Sequence, residues 1–174
     1  MQFQELLHNA RSFYEQADSD NLESSRQRNI IASILFSWIA MEAFVNDMME
    51  DFVALPPGIF TIHERGFLQE RLVEFSTEGV NAGDFIIANR RRFVRLGDKI
   101  LFLTAKFGKG TKLDKGSTLW QKFEASKNLR DRLTHPRKDQ EINVSLSDAE
   151  DALEVAQEVI RLVALKVWNK NIDV

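Results

Sequence analysis

Ser37-Trp38-Ile39-Ala40-Met41-Glu42-Ala43-Phe44-Val45-Asn46 lies in the middle of the longest helical signal in the chain. Projected at helical pitch, Ile31, Ile34, Leu35, Trp38, Met41, Val45, Met48, Met49 and Phe52 form one broad apolar stripe. This spacing predicts a helix over about 24–54. Pro56-Pro57-Gly58 ends it, because residues before proline are steered away from the helical region. Glu42 projects inside the stripe, between Met49 and Leu35, and Asn46 sits at its edge. A buried carboxylate is costly unless paired, so Glu42 requires either a cation or a place on the rim.

The rest of the chain reads outward from this helix. Phe3, Leu6, Leu7, Ala10, Phe13, Tyr14 and Ala17 predict a first helix over about 3–17. Ile62, Phe67, Leu68, Leu72, Val73 and Phe75 predict a third over about 62–76. From 77 to 95 the pattern is open, since Phe85-Ile86-Ile87 fits a short strand or part of a helix. A short helix over 98–107 stops at Gly108, and 108–116 reads as a basic loop carrying Lys109, Lys112 and Lys115. Ser117 is placed to cap a helix running towards His135, where Pro136 ends it. Ser147-Asp148-Ala149-Glu150 has the capping-box pattern for a final helix with a strong apolar face. The 8 Gly and 3 Pro fall at breaks, which suits long helices with short connections. The expectation is one all-α domain over 1–174, an antiparallel helical bundle with an extra helix/loop insertion around 77–116.

Composition narrows the function classes. Cysteine is absent, which excludes disulfides, thiolate metal sites and a cysteine nucleophile. The 3 His (His8, His63, His135) are far apart, so no metal site and no cofactor is expected. No signal peptide is visible, and Glu42, Asp47, Glu50 and Asp51 interrupt the most apolar stretch, so a cytoplasmic protein without a membrane span is expected. Net charge is −3, yet residues 90–138 hold 15 Lys and Arg against 4 Asp and Glu. That asymmetry fits a polyanion or an acidic partner. It fits equally a basic surface facing an acidic one within the fold or across a dimer.

The most informative segment is Asn128-Leu129-Arg130-Asp131-Arg132-Leu133-Thr134-His135-Pro136-Arg137. Leu119, Phe123 and Leu133 share a helical face, and Arg130 projects into its middle. An arginine so placed must meet a carboxylate, a phosphate or a dimer partner. Glu42 is one candidate carboxylate; the other reading leaves it on a rim or interface. A straight helix sets Arg130 and His135 about 140° apart, so their approach depends on how the helix ends. The helix C-terminus favours a charged His135, whereas Arg130, Arg132 and Arg137 oppose it.

Arg130-Asp131-x-x-x-His135 resembles the R-polar-x3-H signature of the HEPN superfamily of helical ribonucleases. The helix through Ser37–Asn46, the motif near the end of the penultimate helix and the capped closing helix are similar to that family as well. The likeness is specific for only a few residues, and 77–116 departs from a minimal HEPN bundle. The resemblance implies a metal-independent endoribonuclease, a homodimer whose two motifs form one composite cleft. His135 is then the acid/base group, Arg130 stabilises charge on the phosphate, and Asp131 orients both. Glu42 and Asn46 are the supporting residues; Arg90, Arg91, Arg92, Arg132 and Arg137 supply RNA contacts. Toxin–antitoxin or anti-phage defence is the setting implied, with an antitoxin protein as a further partner. The alternative is a non-catalytic helical module that binds a partner protein or nucleic acid, because a fold does not fix an activity. Nucleotide binding has little support, since Gly108-Lys109-Gly110 lacks the rest of a phosphate loop.

Overall fold

The long helix ends where proline dictates: α2 spans Glu23–Val53, three residues short of Pro56. The computed structural model describes residues 2–56, 58–108, 113–136 and 143–174. Lys109 and Lys112 of the expected basic loop, and Arg137, lie outside the described residues. Among those described, the chain is mostly helical, with α1 (Gln2–Ser19), α2, α3 (Ile62–Leu68), α4 (Leu96–Phe107), α5 (Thr118–Thr134) and α6 (Leu146–Trp168). A two-stranded antiparallel sheet, β1 (Arg71–Phe75) and β2 (Phe85–Arg91), completes it. The chain divides into two compact units, Met1–Phe44 with Leu103–Val174, and Val45–Phe102.

In the first unit, α1 buries Phe3, Leu7, Ala10 and Ala17, and α6 buries a run from Ala149 to Ala164. Phe44 links the elements: its ring centroid lies 4.9 Å from Phe3 and 5.8 Å from Trp168, both edge-on. Two serines of α2 are wholly buried and satisfied. Ser33 donates to the Ala10 carbonyl (2.8 Å), and Ser37 donates back to the Ser33 carbonyl (2.8 Å). By length and composition α2 could cross a membrane, but half of its most apolar window is buried inside the protein, as in a core helix. Ser117 caps α5 by accepting from the Trp120 amide (3.3 Å).

The final helix starts two residues earlier than Ser147-x-x-Glu150 predicts. Ser145 is the cap; it accepts from the Asp148 amide (3.2 Å), and the Asp148 carboxylate accepts from the Ser145 amide (2.7 Å). Asp148 is the shorter acid, and here it closes the box.

In the second unit, the helix expected over 62–76 is only half helical. α3 ends at Leu68, Glu70 takes a left-handed conformation (φ 51°), and the chain turns into β1. Phe75 pairs with Phe85 and Val73 with Ile87, and the register shifts between Arg71 and Val73. Gly66 makes this turn-back possible. A Cβ there would lie 2.4 Å from the Val73 side chain, so only glycine lets α3 sit this close to the strand. Gly79 and Gly83 supply the positive φ values of the connection between the strands.

Candidate functional site around Arg130

Arg130 sits on α5 beside a buried stripe of Trp120, Phe123, Ser126 and Leu129. That stripe is rotated from the one the sequence predicts, since Leu119 and Leu133 are only half-buried. The side chain of Arg130 keeps 26% of its surface exposed, which a fully buried arginine would not. One terminal nitrogen lies 3.2 Å from Glu42, which settles the partner of that carboxylate, and the other lies 3.0 Å from Asp131. The guanidinium carbon of Arg130 lies over the Trp38 ring, 4.9 Å from its centroid.

Trp38 is fixed in turn. It is 2% exposed, its indole N–H donates to the Ser126 hydroxyl (2.9 Å), and its ring packs 5.2 Å from Phe123. Sequence reasoning assigned Trp38 to the core alone. Its position four residues before Glu42 is the signal that it shares a helix face with that carboxylate. Together Glu42, Asp131 and Trp38 hold the guanidinium, a pre-set geometry that costs little ordering when a further acceptor arrives. Lys127 lies 4.0 Å from Asp131 and adds weak positive field there.

His135 is the C-cap residue of α5, where Pro136 prevents another turn. Its amide donates to the Asp131 carbonyl (3.0 Å), while its ring is exposed and has no hydrogen-bond partner among the described residues. Thr134 donates to the carbonyls of Arg130 (3.0 Å) and Asp131 (3.3 Å), closing the last turn beneath the pair. The result is an anchored cation and, at the end of the same helix, an imidazole open to solvent.

The other expected residues lie elsewhere. Asn46 turns its amide oxygen to Lys99 (2.8 Å), whose ammonium also meets Glu70 (2.6 Å); these three belong to the second unit. Arg132 is exposed on α5. Arg90, Arg91 and Arg92 are exposed on and just after β2, and Arg90 pairs with Glu74 at 2.9 Å. Among the described residues no three His, Cys, Asp or Glu side chains gather as metal ligands do. No family model, curated protein or solved structure matches this chain.

Proposed function

We propose that this protein is a metal-independent endoribonuclease of HEPN type that acts as a homodimer in the cytoplasm. One observation carries the reading: the Arg130 guanidinium, held by Glu42, Asp131 and Trp38, precedes a solvent-open His135 at the end of the same helix. In this reading the helices form an antiparallel bundle of HEPN type, with the segment around 77–116 as its insertion. The ribose 2′-oxygen attacks the adjacent phosphorus, the new P–O2′ bond forms and the P–O5′ bond breaks. His135 of one copy takes the 2′-hydroxyl proton, and His135 of the other donates a proton to the departing 5′-oxygen. The products are a 2′,3′-cyclic phosphate and a 5′-hydroxyl. Arg130 has more N–H groups than its two carboxylates use, and the remainder face charge developing on the non-bridging oxygens. Arg90, Arg91, Arg92, Arg132 and Arg137 contact the RNA backbone. Uncontrolled cleavage of this kind suits a toxin–antitoxin or anti-phage system, with an antitoxin protein restraining it.

The test is to incubate wild type and His135→Ala with structured RNA in excess EDTA and to analyse the fragment ends. Cyclic-phosphate ends from wild type, with a loss of about 10²–10⁴ in rate for the variant, are expected. Because His135 is exposed, the variant should keep its thermal midpoint. Equal cleavage by both proteins removes His135 from the chemistry. No cleavage by either, with both folded, favours the non-catalytic interaction module.

A further inference from the structure

Exposure changes sharply between neighbours along the chain that leaves β2. Phe93 is 89% exposed, Val94 is 5%, Arg95 is exposed and Leu96 is 9%. Arg91, Arg92, Phe93 and Arg95 are all open to solvent, while Val94 and Leu96, the first residue of α4, are buried and anchor the strip. The backbone is clamped at both ends. The Arg92 amide donates to the Glu70 carbonyl (2.7 Å), and the Arg95 carbonyl accepts from the amides of Asp98 (3.0 Å) and Lys99 (3.1 Å) at the start of α4. The ring is therefore displayed on fixed backbone.

Charge distinguishes this ring from other exposed apolar residues. Phe75 and Phe85 are also about half exposed, but they pack on each other, and Phe85 packs on His63. Acidic Glu78 and Asp84 lie in the connection between them. The charged residues from 90 to 95 are all arginines, and among the described residues no carboxylate pairs with Arg91, Arg92 or Arg95. Unpaired guanidiniums on both sides of an uncovered ring match a polyanion with flat faces to stack.

We infer that Arg91, Phe93 and Arg95 bind an unpaired stretch of RNA, with one base stacked on Phe93 and the arginines on neighbouring phosphates. The choice of RNA rests on the ribonuclease reading above; the restriction to unpaired RNA comes from the strip itself. Duplex RNA hides its base faces within the stack and offers side chains chiefly backbone and 2′-hydroxyls. A single strand presents every base face, and an aromatic ring among cations is the means of holding it.

The experiment uses the His135→Ala protein, which keeps RNA intact. Fluorescence anisotropy compares a labelled oligouridine with a labelled blunt-ended RNA duplex of the same strand length. Phe93→Ala should weaken oligouridine binding about 5- to 150-fold, leave duplex binding nearly unchanged, and be rescued by Phe93→Tyr. Arg91→Gln and Arg95→Gln should each lower the salt slope by about 0.7. Oligouridine binding unaltered by Phe93→Ala overturns the strip, and cleavage by wild type in the EDTA assay would then leave the nuclease reading standing. Binding of neither RNA by the His135→Ala protein also overturns the strip; combined with no cleavage, it overturns the nuclease reading too.

Discussion

Arg130 is held by groups that act on different parts of the guanidinium, and their removal should have different consequences. Glu42 is 44% exposed in its side chain, so its ion pair is partly screened by water. Trp38 is buried and stays in place whichever charge is removed. A double-mutant cycle of Glu42→Gln and Arg130→Met, followed by urea unfolding, should give a coupling of about 0.5–1 kcal/mol. Coupling indistinguishable from zero would show that Glu42 does not hold the arginine in solution. Arg130→Lys keeps the charge but loses the planar fork and the stacking face, so it should not restore the pair. The need for a partner was legible from the sequence, because both residues project onto apolar stripes. Their actual pairing was not, since it depends on how two helices meet 88 residues apart in sequence.

Helix ends are where sequence patterns compete most closely, and the start of α6 shows why. Ser145-x-x-Asp148 and Ser147-x-x-Glu150 both have capping-box spacing. The buried neighbours favour the earlier one: Val144 just before Ser145 is buried, as is Ala149 at the fourth helical position, the places of a hydrophobic staple. The Val144 carbonyl also accepts from Gln27 (3.0 Å), which pins the chain as it enters the helix. Ser145→Ala should therefore cost about 1 kcal/mol in chemical denaturation, and Ser147→Ala less than about 0.5 kcal/mol. The reverse order would return the helix start to Ser147. The third helix misled for a related reason. Leu72, Val73 and Phe75 continue the helical spacing of Phe67 and Leu68, and neither glycine nor proline marks the break. The stop falls instead on Glu70, a residue that adopts positive φ only where tertiary contacts fix it. Those contacts are the Lys99 ammonium on its carboxylate and the Arg92 amide on its carbonyl. A usable signal lay downstream, where Gly79, Asn81 and Gly83 separate two runs rich in β-forming residues.

Across the whole molecule, the charge asymmetry has two sources that the sequence could not separate. Arg90, Lys99, Lys122, Lys127 and Arg130 all lie in the basic stretch, and each meets a carboxylate. Most of the acids, Glu74, Glu70, Glu154 and Glu42, come from outside it. Part of the asymmetry is thus neutralised inside the protein, and the charge of the stretch alone overstates the surface available to a polyanion. What stays open to solvent without a carboxylate partner among the described residues is Arg91, Arg92, Arg95, Lys115 and Arg132. A single His135 cannot both take the 2′-proton and protonate the leaving oxygen in one step, which is why the proposed cleft needs a second copy. This requirement can be measured by mixing. Wild type and His135→Ala are combined at constant total concentration, allowed to exchange subunits, and assayed for cyclic-phosphate release. A cleft built from both copies makes activity fall as the square of the wild-type fraction, because only wild-type pairs are competent. A straight-line decline would show each chain acting alone, with His135 alternating between base and acid in successive steps.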